Sequence, residues 1–178
     1  MNRSTLNWVI ALTLIFIGVS LRVLPHPANF APVAAIAIFG CAILPRRTAV
    51  WVPLTAMVLS DAIIGFHSLI AVTWGCYALF ALASSQWLRN RSFARGAFLT
   101  LSSSVFFFAV TNFAVWIWSG MYAHTWAGLT SCYTLALPFF RNTLLSDVIY
   151  TAALFGVFTL ASRLAYHLVK SERVASRV

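Results

Sequence analysis

The chain has 178 residues, of which 61% are hydrophobic and 8% charged, and its formal net charge is +9. A soluble domain carries roughly a quarter charged residues, so a water-exposed globular surface is excluded and an all-α integral membrane bundle is indicated. The basic residues are spread over short segments between apolar runs and form no stripe, which excludes a nucleic-acid-binding domain.

A membrane-crossing helix needs about 20 mostly apolar residues. Six runs qualify or come near. Asn7 to Leu21 is the first, and Phe30 to Leu44, entered through a proline, is the second. Thr48 to Ile64, Ser68 to Leu88, Gly96 to Ser119 and Thr143 to Leu168 follow. Between the fifth and sixth runs, Trp126 to Phe140 is too short to span and reads as an outer half-helix stopped at Pro138. The whole chain, 1–178, is expected to be one transmembrane domain. The first run is expected to stay in place, because RVLPHPANF lacks the small-residue cleavage site of a signal peptide. Cys41, Cys76 and Cys132 lie in apolar runs without a CxxC pair and read as small buried hydrophobes.

Lys and Arg set the expected orientation, since they favour the cytoplasmic side. Arg3, Arg46, Arg47, Arg89, Arg91, Arg95, Arg163, Lys170, Arg173 and Arg177 fall on one side of a six-span topology. Only Arg22 and Arg141 fall on the other. Both termini are therefore expected in the cytoplasm.

The remaining polar residues gather on the outer side. Arg22, His26 and Asn29 belong to the first outer loop, Asp61 to the end of the third helix, and His67 to the tight loop GFHS. Asn112 lies in the fifth helix, His124 in the following connection, and Arg141, Asn142 and Asp147 at the start of the sixth. A charge in hydrocarbon costs at least roughly 2.5–3.5 kcal/mol at mid-depth, so Asp61 and Asp147 should face protein or water. Arg141 and Asp147 are roughly 9 Å apart along a helix, on different faces. Asp61 is therefore the better partner for Arg141, and Arg22 could serve either carboxylate. Asn142 reads as the N-cap of the sixth helix, with Asp147 near its positive dipole end. Thr143, Asp147, Tyr150 and Thr151 share one face.

Three readings of the aspartates stay open: buried structural groups, the walls of a ligand pocket, or a proton relay or ion pathway. Trp116, Trp118, Tyr122 and Trp126 read as an interfacial aromatic belt, or as a stacking surface for a flat ligand. Leu59-Ser60-Asp61 recurs as Leu145-Ser146-Asp147, either by chance or as an inverted repeat. In LPHPANFAPVAAIAIFG, three prolines stiffen a loop that can lie over the outer mouth as a lid. There Ala31 and Ala35 have the small-residue spacing of close helix contact, within the bundle or against a partner subunit.

The blocks LPHPANFAPVAAIAIFG, LSDAIIGFH, TNFAVW and PFFRNTLLSDVIYTAALFG together resemble a family of small bacterial membrane proteins of unknown function, over Arg22 to Gly156. That family in turn resembles the substrate-binding S components of energy-coupling factor (ECF) vitamin transporters. The resemblance implies a bacterial inner-membrane protein that captures a solute from outside. It also implies a transmembrane coupling subunit with cytoplasmic ATPases as partner. The chain has no G-x-x-x-x-G-K-[ST] of its own, and its first helix lacks the A-x-x-x-A surface frequent in S components.

The resulting expectation is a membrane substrate-binding protein for uptake of a small solute, vitamin-like or otherwise polar. Its ligand-binding residues would be Asp61, Asn112, Arg141, Asn142, Asp147, Tyr150, His26, Asn29 and His67. The alternative is a membrane scaffold or assembly factor without a small-molecule ligand. An enzyme is not expected, because Ser60 and Ser146 beside aspartates make no triad and H-E-x-x-H is missing. No cofactor or metal is called for, since the histidines lack ligand spacing.

Overall fold

The computed structural model describes residues 2–87 and 93–175. They form six helices: α1 Arg3–Val23, α2 Val33–Ile43, α3 Arg46–Ile64, α4 Ile70–Trp87, α5 Phe93–Trp118 and α6 Trp126–Ala175. The all-α bundle read from the sequence is what the chain builds, and no strand occurs among the described residues. Leu88, Arg89 and Arg91, assigned above to the fourth run and the loop after it, lie outside the described residues. So does Arg177.

Four helices, α1, α3, α5 and α6, are long and apolar enough to cross a membrane. Two of the six runs are not among them: the described part of the fourth, α4, has 18 residues, and the second departs furthest from a span. α2 has 11 residues and rises about 16 Å, half of a hydrocarbon core about 30 Å thick. It lies instead at the centre of the bundle, touching all five other helices. Every residue from Val33 to Gly40 is buried, as expected for a helix that is apolar all round. This overturns Ala31–Ala35 as a docking face for another subunit, since Ala35 is fully enclosed by the protein's own helices. Small residues serve close packing on α1 as well. A Cβ on Gly18 would come within 3.0 Å of both Ala56 on α3 and Ile36 on α2, so glycine lets these helices approach.

Outside this core the helices present large apolar side chains: Trp8, Leu12 and Phe16 on α1, Trp51 and Ile63 on α3, Val157 and Leu160 on α6. The three cysteines are free. Cys76 and Cys132 are buried, and half-buried Cys41 donates through Sγ to the Ala81 carbonyl.

The largest departure from the sequence reading is at Pro138. No half-helix ends there, because α6 runs unbroken through it for 50 residues. A proline removes one backbone hydrogen bond and crowds the preceding turn, but here packing on α5 outweighs that cost. Tyr133 donates to Ala109 O at 2.6 Å, Cys132 Sγ to Asn112 O at 3.4 Å, and Phe108 stacks on Phe140 at 4.6 Å. Asn142 and Asp147 are consequently mid-helix. Asn142 caps nothing, and Asp147 gains nothing from a helix terminus. The segment of α6 before Asn142 rises about 24 Å and, with the end of α5, forms a hairpin that walls one side of the site.

Candidate functional site

One end of the bundle carries the 24–32 loop, the 65–69 loop and the α5–α6 turn. The 24–32 loop is held in place by α6. Asn142 Nδ2 donates to Ala28 O at 3.0 Å, Ser146 Oγ to Ala31 O at 3.4 Å, and Phe30 meets Tyr150 edge-on at 5.7 Å. Asn29 takes a positive φ of 61°, a conformation asparagine tolerates better than most residues. The chain thereby turns back over the bundle.

Beneath these loops lies a cavity of about 400 Å³, within the size range of small-molecule sites. α5 contributes Phe107, Phe108, Thr111 and Asn112, and α6 contributes Cys132, Ala136, Phe140 and Thr143 at helical spacing. Ala28, Asn29, His67, Thr73 and Tyr122 complete the wall. A second cavity of about 200 Å³ adjoins it and shares Asn29, His67, Thr73, Phe107 and Thr143. Arg22, His26 and Tyr77 line only this smaller one.

Behind the smaller cavity sits a charged cluster. Arg22 Nη2 is 2.6 Å from Asp61 Oδ1, and Nη1 donates to Ser60 Oγ at 2.7 Å. Trp74 Nε1 donates to the other carboxylate oxygen at 2.7 Å. Asp61 is 1% exposed. Removing one member of such a buried pair costs about 3–5 kcal/mol, so the cluster fixes the α1–α3–α4 junction at the cavity's back wall. Asp147 is equally buried but lies between α5 and α6. Its partner is Ser104, which donates to Oδ2 at 2.7 Å, and one turn further along Thr100 and Thr151 meet at 3.4 Å.

Three of the residues expected to bind ligand therefore meet in the larger cavity: Asn29, His67 and Asn112. His26 joins Asn29 and His67 in the smaller. Asp61, Arg141, Asn142, Asp147 and Tyr150 line neither. Asp61 stands behind Arg22, Asn142 and Tyr150 hold the loop, and Asp147 ties two helices. The Arg141–Asp61 pair does not form. Arg141 is exposed, and Arg22 takes the carboxylate instead, because the last turn of α1 packs against Met57 and Ser60 of α3. His124 lines neither cavity and lies against Trp116 at 5.4 Å. Trp118 and Trp126 are exposed at the hairpin tip, as an interfacial belt requires, whereas Tyr122 turns into the larger cavity.

Sequence reasoning missed Thr73, Trp74 and Thr111. Trp74 carried a signal, because an indole N–H in an apolar run needs an acceptor when buried, and Asp61 was the acidic group available in the neighbouring helix. The threonines carried none, since a hydroxyl in an apolar helix usually satisfies itself on its own backbone.

No curated protein and no solved structure matches the chain. A family model matches residues 2–170, and on that match the chain belongs to DUF6580, a family of unknown function.

Proposed function

We propose that this protein is a membrane substrate-binding protein for uptake of a small solute, with its ligand in the larger cavity. The observation that carries this reading is the cavity itself: about 400 Å³, mostly apolar and aromatic walls, and a few convergent polar groups at the loop-bearing end. That composition is characteristic of small-molecule sites. The bias of Lys and Arg supports an orientation with both termini in the cytoplasm and the cavity open to the outside. The 24–32 loop, pinned at Ala28 by Asn142, would lie across the entrance. The resemblance to S components accounts for how uptake would be driven, through a coupling subunit and its ATPases, as the chain has no phosphate-binding glycine loop. The scaffold alternative draws less support from the Ala31–Ala35 spacing, because Ala35 is fully enclosed within the bundle.

The test is to purify the protein from its natural host and identify co-purifying small molecules by mass spectrometry. Cellular uptake of the molecule found is then measured with wild type and with Asn112→Leu. A specific molecule at near-stoichiometric amounts, with uptake reduced in the variant, is the expected result. A protein that carries no small molecule and whose loss leaves the host's solute uptake unchanged would overturn the reading.

A further inference from the structure

The hydroxyls that the helices offer to the larger cavity have something in common: their hydrogens are already used. Thr73 donates to Ile70 O at 2.9 Å, Thr111 to Phe107 O at 2.6 Å and Thr143 to Phe139 O at 3.1 Å. A hydroxyl has a single hydrogen, so each presents only an oxygen with free lone pairs. Asn112 uses one amide hydrogen on Phe108 O at 2.7 Å, and its Oδ1 has no partner among the described residues. Four helix-borne groups thus supply hydrogen-bond acceptors from three sides of one space.

The lining includes no Asp, Glu, Lys or Arg. A charged ligand would surrender its hydration without meeting a counter-charge, which is costly in an apolar setting. The apolar part of the wall is largely aromatic, with Phe108 and Phe140 in tilted contact at 4.6 Å. Rings in this arrangement offer faces and edges that pack best against another ring. Helix-borne acceptors, aromatic walls and no Asp, Glu, Lys or Arg together favour one kind of ligand by complementarity, while Asn29, His67 and Tyr122 on the loops can donate as well as accept.

We infer that the larger cavity takes a flat, uncharged aromatic compound that carries N–H donors, such as an amino-substituted ring system. This rests on the substrate-binding reading above and narrows it to a chemical class. Unsatisfied acceptors in a binding site penalise an analogue without the donor more than an extra methyl group rewards it.

The test uses three probes built on one ring system: naphthylamine, dimethylnaphthylamine and naphthyltrimethylammonium. Binding to the full chain in lipid nanodiscs is measured by equilibrium dialysis, with empty nanodiscs subtracted. Naphthylamine is expected to bind about tenfold more tightly than dimethylnaphthylamine, the effect of one well-placed hydrogen bond. In Thr111→Val, which keeps the side-chain shape, that ratio should narrow to about threefold, with the helical spectrum and size-exclusion profile of wild type. Equal binding of the first two probes, tightest binding of the cation, or no binding of any probe above empty nanodiscs would each overturn the chemical class. The uptake reading is judged separately by the co-purified molecule. If that molecule lacked N–H donors, the class would fall while the uptake reading stood.

Discussion

Leu59-Ser60-Asp61 on α3 and Leu145-Ser146-Asp147 on α6 have the same local geometry and different surroundings. In both, the leucine is exposed, at 46% and 44%, while the serine and aspartate are at most 2% exposed. Both serines donate back to a carbonyl of the preceding turn. The difference lies in what neighbouring helices bring. α1 ends in Arg22 and α4 begins near Trp74, so Asp61 receives a cation and an indole N–H. α5 brings Ser104, so Asp147 receives a hydroxyl. The same three residues therefore make an ion-paired anchor behind the cavity in one place and a polar seam between two helices in the other.

Breaking the first triplet's pairing should have the largest effect. Arg22→Leu leaves Asp61 buried without its cation and should lower unfolding stability in mixed micelles by about 3–5 kcal/mol. The double variant Arg22→Leu with Asp61→Leu should recover much of the loss, because an apolar pair no longer carries the desolvation cost. A single variant as stable as wild type would show that the pair contributes nothing. Trp74→Phe keeps the ring and removes the donor to Asp61, a charge-assisted bond whose loss should cost about 1.5–3 kcal/mol. An unchanged denaturation midpoint in that variant would contradict the indole's role.

The second triplet should respond more weakly. Ser104→Ala strips Asp147 of its hydroxyl partner and should cost about 1–2 kcal/mol. Asp147→Asn retains an oxygen to accept that hydroxyl and should change stability by less than about 1 kcal/mol. If Asp147→Asn proved as damaging as Arg22→Leu, the contrast between the triplets would collapse. Last in order, Arg141→Gln should leave the melting temperature unchanged, as expected for an exposed side chain with no hydrogen-bond or ion-pair partner among the described residues.

Much of the fold was legible in the sequence, because apolar runs long enough to cross a bilayer leave few alternatives. The two failures on helices have distinct causes. Pro138 reads as a stop because proline breaks isolated helices, yet in α6 the contacts of Tyr133, Cys132 and Phe140 with α5 hold the helix through it. α2 reads as a short span because its composition is uniformly apolar, and only the packing shows that it is the bundle's centre. The site was less legible. Asn29, His67 and Asn112, which line the larger cavity, stood out because polar groups at one end of an oily chain are conspicuous. The choice between Arg22 and Arg141 as partner of Asp61 depended on which helices touch, and spacing along one chain does not encode that. Small residues at Ala31 and Ala35 signal close approach, but the same spacing serves an inner contact and an outer one.

The continuity of α6 has a mechanical consequence. Cys132, Phe140 and Thr143 border the larger cavity, and the same helix continues past Arg163 to Ala175 at the opposite end of the molecule. The contact of Asp147 with Ser104 lies between these regions. Below that contact Phe155 and Phe158 pack edge-on against Phe39 of α2. One helix thus joins the cavity wall to the bundle's centre, so a tilt of α6 that reshaped the cavity would have to be accommodated at α2 as well.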